Sequence, residues 1–284
     1  MNKLAEEFKK SDLEILVSTM NRNNLDFLIA MFPFADFTDF NILIVNQTEN
    51  DKILNSGFSN IKVINSYEKG LSKSRNLALK NASKKIGLIG HDDVVFIEGF
   101  DAKIIDSYNQ NPLASLITFQ TKTFENRPFR KYKKNNFWLK EKDLVWILSI
   151  EITFKIEELK KKDIHFNELF GLGAKFQDAE SLYFLRRANY QKQKILFEPK
   201  DIVIHEETSS SDEITSDRWL YAKTAGFYKR YQSFSYILVF KMVFYLLRKK
   251  LISYKQITHK LNIGMSGIND YKKLIKNNSE HFYD

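Results

Sequence analysis

Three consecutive polar side chains, His91, Asp92 and Asp93, follow a predicted strand over Lys85–Ile89. Adjacent carboxylates are hard oxygen ligands for Mg²⁺ or Mn²⁺, cations that proteins usually hold together with substrate phosphates. Asp is also common in solvated turns after strands, because its side chain forms local hydrogen bonds. The motif therefore indicates either a divalent-cation site or an ordinary turn.

A second motif has the features of a phosphate-binding helix start. Gly70 precedes a predicted helix over Ser72–Asn81, for which Ser72 is the expected N-cap. The first turn carries Lys73 and Arg75, and a helix N-terminus with nearby bases attracts anions such as phosphate groups. The segment is neither a Walker A nor a GxGxxG loop, so the common nucleotide-binding fingerprints are absent. An ordinary capped helix is the alternative.

Two carboxylates, Asp178 and Glu180, follow a glycine-rich turn at Phe170–Ala174 and begin a predicted helix. Glycines allow a ligand to approach the backbone closely, and a carboxylate beside that ligand can act as a general base. Carboxylates at a helix start also interact favourably with the helix dipole without any catalytic role. Because residues i and i+2 of a helix point in different directions, we expect at most one of the two to face a reaction centre.

His205 ends a short predicted strand over Ile202–Ile204. A neutral imidazole can complete a cation site that carboxylates begin. A lone histidine is more often structural, so His205 indicates a metal ligand only in combination with the carboxylates.

These motifs lie on alternating strand-like and helix-like segments, which predict an α/β domain with a mixed, mainly parallel sheet flanked by helices. Ligands of such sheets bind beyond the carboxyl ends of the strands, where the polar motifs are found. Asn126–Lys142 is basic and aromatic, and we expect it to form a variable loop over the site. The predicted strands are Leu13–Ser18, Asn41–Val45, Ile61–Ile64, Lys85–Ile89, Ser115–Phe119, Ile150–Phe154 and Ile202–Ile204, and the predicted helices are Asn24–Phe32, Ser72–Asn81 and one beginning at Asp178.

Composition excludes several classes of protein. The chain has 284 residues, of which 43% are hydrophobic, enough to build a sizeable core. It contains no cysteine, which excludes a disulfide scaffold, a cysteine-type zinc site and a thiol nucleophile. The first residues lack the apolar region of a secretory signal, and we expect the chain in the cytoplasm.

The basic excess is confined to one C-terminal segment. The net charge is +9, and residues 218–269 contain ten Lys and Arg but no Asp or Glu. This favours an anionic partner, and we expect a membrane surface bound through 218–260, since no nucleic-acid recognition motif is present. Within this segment, Phe234–Leu247 is too short to span a bilayer. With Lys241 and Arg248 seven residues apart, it fits either an interfacial helix or a core helix with snorkelling bases.

Taken in order, the motifs resemble those of family 2 glycosyltransferases with the GT-A fold, over about residues 11–230. VSTMNRN resembles the first strand and its base-binding turn, and GLSKSRNLALKNA resembles the family's G-x-S-x-x-R-N-x-A helix. IGLIGHDDVVF resembles the strand with the metal-binding Asp cluster. FGLGAKFQDAESLYFLRR resembles the acceptor-side segment of glycines and acids, and IVIHEETSS resembles the late His strand. The second half resembles bacterial surface-polysaccharide enzymes most.

The resemblance implies inverting transfer of a sugar from a nucleoside-diphosphate sugar, most often a UDP-sugar, with Mn²⁺ or Mg²⁺ as cofactor. Asp93 is implied as the metal ligand, helped by Asp92 and His205. Lys73 and Arg75 are implied near the donor phosphates. The residues implied in donor binding are Thr19, Asn21, Arg22, Asn46, Lys73, Arg75, Asn76, His91 and Asp92.

Two departures from the family pattern leave alternatives open. His91 stands where many relatives have an acid, and Ser181 stands where many have the second acid of a pair. We therefore expect Glu180 to be the catalytic base, with Asp178 as the alternative. The rival functions are a catalytically degenerate glycan-binding or scaffold subunit and a sugar nucleotidyltransferase.

The organisation that follows is a GT-A catalytic domain over 1–212 and a basic, aromatic helical segment over 213–284. The expected function is a sugar transferase of bacterial surface-polysaccharide synthesis, such as that of capsule or lipopolysaccharide. Its expected acceptor is a saccharide, in particular a lipid-linked one, and its expected place is the inner face of the plasma membrane.

Overall fold

The structure, a computed structural model, describes three stretches of the chain, residues 7–49, 52–206 and 214–277. The chain divides into two compact units. The first unit consists of Met1–Phe166 and Phe184–Glu207, and the second consists of Asn167–Tyr183 and Thr208–Asp284.

This division differs from the one expected from the sequence in the placement of residues 167–183. Phe170, Phe176 and Tyr183 are buried in one hydrophobic cluster with residues of the C-terminal helices, so packing joins that segment to the second unit. The boundary expected between residues 212 and 213 lies outside the described residues and stays a prediction.

The described part of the first unit contains one sheet of nine strands. These strands are β1 Leu13–Met20, β2 Ile42–Gln47, β3 Ile61–Ser66, β4 Ile86–His91, β5 Val95–Phe96, β6 Leu116–Lys122, β7 Phe137–Trp138, β8 Ile152–Lys155 and β9 Ile195–Ile204. Their order is β3-β2-β1-β4-β8-β6-β9-β5, and β7 pairs with β9. The longest ladders, β1 with β2, β1 with β4, β2 with β3 and β6 with β9, are parallel. The predicted α/β class with a mainly parallel sheet is confirmed.

Eight α-helices are found in the described residues, and their bounds are α1 Asp26–Met31, α2 Leu71–Asn81, α3 Phe100–Gln110, α4 Ile156–Lys161, α5 Glu180–Tyr190, α6 Asp217–Tyr231, α7 Ser235–Arg248 and α8 Ile257–Lys276. In the first unit, α2 packs on β1 and β2, and α3 packs on β9. Seven consecutive residues of β1 are buried, as expected for a strand that is covered on both faces.

The second half of the sheet is less readable from sequence than the first. The predicted strand over Ile202–Ile204 is only the end of the ten-residue β9. The predicted loop over Asn126–Lys142 includes β7, which pairs with β9 through Phe137 and Trp138. A two-residue strand has too little periodicity to be recognised in sequence, and its partner residues decide that it is a strand.

The start of α2 also differs from the prediction. Ser72 is a buried residue of the first turn, and Gly70 occupies the N-cap position with a φ of 131°. Only glycine adopts that backbone conformation readily, so the turn into the helix depends on Gly70 and not on a Ser72 cap. Similarly, the helix predicted from Asp178 begins at Glu180.

The second unit is built around aromatic side chains and close helix contacts. A Cβ atom added to Gly264 of α8 would lie 2.6 Å from Val239 of α7, and one added to Gly267 would lie 2.3 Å from the Tyr221 carbonyl of α6. The glycines of α8 thus allow both neighbouring helices to approach its backbone.

The expected C-terminal helical segment is confirmed. Among the helices of the described residues, none combines the length and apolar character that crossing a bilayer requires.

Candidate active site

The carboxyl ends of β1, β2 and β4 bring together polar residues from distant parts of the chain. In the two parallel registers, Thr19 lies beside Asn46, and Ser18 lies beside His91. Parallel strands run in one direction, so their last residues share one edge of the sheet. The polar residues predicted after the first, second and fourth strands are therefore neighbours in the folded chain.

Asp92 is held in a closed polar network. Its Oδ2 atom accepts hydrogen bonds from Thr19 Oγ1 at 2.5 Å and from Arg22 Nε at 2.9 Å, and Arg22 Nη2 lies 2.7 Å away. Two nitrogen atoms of the Arg22 guanidinium contact this carboxylate, so its negative charge is already neutralised by an ion pair. These contacts tie the turn after β1 to the end of β4. The metal-binding role expected of Asp92 stays a prediction.

Asn46 is fully buried, and its amide group is engaged inside the protein. Oδ1 accepts from the Arg22 amide at 3.1 Å, while Nδ2 donates to the Arg22 carbonyl at 2.9 Å and to Asn65 Oδ1 at 3.0 Å. These bonds hold the turn in which Asn21 has a φ of 54°, a conformation that Asn tolerates better than most residues. Asn46 therefore positions the turn after β1.

Arg75 is only 3% exposed, and its guanidinium reaches the end of β4. Nη2 lies 2.6 Å from His91 Nε2, and the guanidinium carbon lies 5.2 Å from the centre of the Phe166 ring. Because a guanidinium can only donate, Nε2 of His91 is the acceptor and the ring proton lies on Nδ1. Arg75 therefore sets the tautomer of His91.

The other two predicted residues of α2, Lys73 and Asn76, make different contacts. Lys73 Nζ forms an ion pair with Glu68 at 2.7 Å on the surface. Asn76 accepts a hydrogen bond from the Phe166 amide at 2.7 Å and donates one to the Phe166 carbonyl at 2.9 Å. Asn76 thus fixes the backbone of Phe166, whose ring stacks on Arg75. Of the three predicted residues of α2, Arg75 is the one that contacts His91.

Asp93 lies between two histidines, and its side chain is 65% exposed. Its Oδ1 atom is 3.9 Å from His91 Nδ1, and its Oδ2 atom is 3.8 Å from His205 Nε2. The polar contact between Asp93 and His205 lowers the pKa of the carboxyl and raises the pKa of the imidazole. The carboxylate is therefore charged at neutral pH and open to solvent, as binding of a cation requires.

His205 presents the ring nitrogen that a metal would use. Its Nδ1 atom donates to the Glu206 carbonyl at 2.9 Å, so in the neutral ring the lone pair lies on Nε2, on the side of Asp93. One carboxylate and one imidazole fit Mn²⁺ or Mg²⁺ if substrate phosphates supply further ligands. Within the three described stretches, no group of three or more His, Cys, Asp or Glu could hold a metal by itself.

The acidic segment of the second unit has a different electrostatic character. Burial, followed by the charge of Glu180, raises the pKa of Asp178 to about 6. Between them, Ala179 has a φ of 64°, a conformation that is strained for alanine because of its Cβ atom. Glu180 Oε1 accepts a hydrogen bond from Ser181 Oγ at 3.1 Å. A carboxyl group that titrates close to neutrality is suited to proton transfer, which favours Asp178.

We call the polar residues gathered at the strand ends of the first unit the strand-end cluster, and its predicted members are Thr19, Arg22, Asn46, Arg75, His91, Asp92, Asp93 and His205. Two further residues of the cluster were not among the predicted site residues. Gln47 Oε1 accepts from the Gly70 amide at 2.7 Å and so fixes the entry to α2. Ser149 Oγ lies 3.4 Å from His91 Nε2. Gln47 directly follows the predicted Asn46 at the end of β2, so its position in the sequence could have indicated it. Ser149 comes from a segment before β8 with no chemical motif of its own.

Comparisons with known proteins add a family and a fold. The model of Glycosyl transferase family 2 matches residues 15–178, more than half of the chain. The solved structure of S. aureus TarS 1-349 is similar with a TM-score of 0.55 and 13% identity, over 94% of this chain and 91% of that chain. Its complex with UDP has a TM-score of 0.55 and 14% identity, over 94% and 91% of the two chains. Its complex with UDP-GlcNAc has a TM-score of 0.55 and 13% identity, over 94% and 92%. At these identities the likeness shows the fold alone. No curated protein sequence matches the chain.

Proposed function

Because the chain belongs to glycosyl transferase family 2, we propose that it transfers a sugar from a UDP-sugar to a saccharide hydroxyl, with inversion at the anomeric carbon. The family match confirms the resemblance drawn from the motifs. The observation that carries the proposal is the exposed Asp93 carboxylate, which lies between His91 and His205. UDP is the proposed nucleotide because two of the similar TarS structures are complexes, one with UDP and one with UDP-GlcNAc.

The strand-end cluster of the first unit is the proposed site of the donor diphosphate. Asp93 and His205 would hold Mn²⁺ or Mg²⁺, and such a cation, when bound, neutralises charge on a diphosphate leaving group. Arg75 contributes a permanent positive charge at the same edge of the sheet, because a guanidinium does not lose its proton in proteins. The pairing with Arg75 also keeps His91 in one tautomer.

The network around Asp92 is the proposed site of the nucleoside. Thr19, Asn21 and Arg22 form the turn after β1, and we propose that they border the base and ribose. Asp92 and Asn46 would act by holding that turn, since their polar atoms bind it directly. A turn held in place before the donor arrives loses little conformational freedom on binding.

Asp178 is the proposed catalytic base, in place of the expected Glu180. The acceptor oxygen forms a bond to the anomeric carbon while the bond from that carbon to the diphosphate oxygen breaks. The hydroxyl proton goes to the base, and the electron pair of the broken bond leaves with UDP. The raised pKa of Asp178, about 6, supports this assignment because a base near the working pH is efficient.

We further propose a lipid-linked saccharide acceptor in bacterial surface-polysaccharide synthesis, such as capsule or lipopolysaccharide. The enzyme would work in the cytoplasm, peripherally attached to the inner face of the plasma membrane. The acid-free, basic segment 218–269 supports this placement, because the cytoplasmic leaflet carries anionic lipids.

Thermal unfolding with nucleotides tests the proposed donor. The midpoint should rise with UDP in the presence of Mn²⁺ or Mg²⁺, more than with GDP or CDP, because a ligand that binds only the folded state stabilises it by mass action. EDTA should abolish the metal-dependent part of the rise, and so should Asp93→Asn. Asp163→Asn, which changes another exposed carboxylate, is the matched control and should respond like the natural chain. A preference for GDP or CDP would overturn the donor, and no response to any nucleotide would overturn the function.

A catalytically inactive binding subunit is the second candidate, and His91 and Ser181 favour it because both replace acids common in the family. Slow hydrolysis of UDP-sugars separates the two, since an enzyme that activates the donor releases UDP into water at a measurable rate. A subunit that only binds would show UDP-dependent stabilisation without hydrolysis.

A further inference from the structure

The helix α7 of the second unit has two unlike faces. One face is the inner one, with Ser235, Val239, Val243 and Leu246 buried in the unit. These positions recur at three- and four-residue intervals, as expected for one side of a helix that packs against its neighbours. The buried positions agree with the interpretation of this segment as a core helix, but they cover only one side of α7.

The opposite face exposes large apolar side chains. Ile237, Phe240 and Phe244 are 50%, 55% and 64% exposed. Phe234 before the helix and Leu251 after it are exposed as well. Successive exposed positions within the helix are again three or four residues apart, so they form one continuous stripe along α7. We define the α7 face as this stripe, formed by Ile237, Phe240 and Phe244, together with the exposed bases Lys241 and Arg248.

The α7 face is also basic. Lys241 and Arg248 are exposed and fall on the same side of the helix as Phe244, and Lys249 and Lys250 follow at the C-terminal end. No acid occurs in residues 218–269 to offset these charges. A second copy of the same face would bring bases against bases, which disfavours self-association through it. The charge therefore points to an anionic occupant, and the apolar stripe points to one with a hydrocarbon interior.

We infer that the α7 face binds an anionic lipid bilayer, with Ile237, Phe240 and Phe244 entering the boundary between headgroups and acyl chains. Lys241 and Arg248 then reach lipid phosphates, because their long side chains extend past the apolar stripe. The inference rests on the proposed function at a membrane surface and specifies the surface that carries it. A nucleic acid would use the bases but would leave the aliphatic and aromatic stripe in water.

Vesicle sedimentation of the full chain tests this inference. The natural chain should bind vesicles of phosphatidylglycerol and phosphatidylcholine and should bind pure phosphatidylcholine vesicles at least about tenfold more weakly. Phe240→Ser with Phe244→Ser should lower binding to the anionic vesicles by about tenfold or more, because it removes the apolar contacts. Lys241→Glu with Arg248→Glu should lower it similarly, and most at low salt.

Matched controls separate the α7 face from general exposure and charge. Tyr190→Ser removes another exposed aromatic ring, and Lys161→Glu with Lys162→Glu reverses two exposed bases at the end of α4. Both controls should bind anionic vesicles like the natural chain. Equal binding by the Phe240 and Phe244 variant would overturn the inference. The inference would also be overturned if the natural chain did not bind vesicles but formed dimers that the Phe240 and Phe244 substitutions dissociate. Preferential binding to DNA over anionic vesicles would overturn it as well.

The same variants distinguish this inference from the proposed function. The UDP-dependent rise in unfolding midpoint should be unchanged in the α7-face variants, because none of their residues belongs to the strand-end cluster. Vesicle binding without any nucleotide response would retain the inference and reject the proposed transferase. Nucleotide response without vesicle binding by the natural chain would do the reverse.

Discussion

Two acidic regions of this protein place the same side chain, an aspartate, in opposite electrostatic surroundings. At the strand ends of the first unit, the neighbouring histidine holds the pKa of Asp93 below its ordinary value. In the second unit, burial and a neighbouring acid raise the pKa of Asp178 to about 6. Groups whose surroundings separate their pKa values commonly have separate roles in catalysis. The comparison supports the proposed roles, cation binding for Asp93 and proton transfer for Asp178.

The largest effect is expected from removing the strand-end charge. Asp93→Ala should lower kcat/KM for sugar transfer by about 10³-fold or more, because charge stabilisation at a leaving group contributes several kcal/mol. The melting temperature without ligand should change little, since the side chain is 65% exposed. Asp163→Asn, at another exposed carboxylate, is the control and should retain activity. Full activity of Asp93→Ala would remove Asp93 from the site.

The next effect separates the two acids of the second unit. Asp178→Asn should lower kcat by about 10² to 10³-fold with UDP binding retained, as expected for loss of a general base. Glu180→Gln should retain most of the turnover. Steady-state kinetics with UDP titration provides both quantities, and the reverse ranking of the two variants would return the base role to Glu180.

The pH dependence sharpens the comparison further. A base works in its deprotonated form, so kcat/KM should rise as pH increases through about 6, the pKa of Asp178. In Glu180→Gln the rise should move to lower pH, because the Glu180 charge is one cause of the raised pKa. Rates from about pH 4.5 to about pH 8 cover both curves on either side of that pKa. A pH profile unaffected by Glu180→Gln would contradict the coupling.

The smallest effect concerns the strained residue between the acids. Ala179→Gly should raise the free energy of unfolding by up to about 1 kcal/mol, because glycine adopts a positive φ without the clash of a Cβ atom. Urea unfolding measures the change. Ala188→Gly, which makes the same substitution inside α5, is the control and should destabilise the protein, because glycine is unfavourable in a helix interior. Equal destabilisation by both substitutions would show that Ala179 carries no strain.

The first half of the sheet could be predicted because both the strands and the polar residues that end them are visible in the sequence. Buried parallel strands are continuous apolar runs, and each ends in polar residues, as at Thr19, Asn46 and His91. The later strands are harder because pairing partners define them. β7 has two residues, and most of β9 precedes the short run Ile202–Ile204 that was recognised.

By itself, the sequence determined the class of the fold and the family, and it pointed to the edge of the sheet where the candidate site lies, because these follow from residue order and local pattern. Only the tertiary structure decided what each polar atom does. Asp92 and Asp93 are adjacent and chemically identical, yet Arg22 forms an ion pair with Asp92, whereas the side chain of Asp93 is exposed to solvent. Arg75 sets the tautomer of His91, and burial raises the pKa of Asp178. Hydrogen-bond partners and burial depend on residues far apart in the chain, and no local spacing contains them.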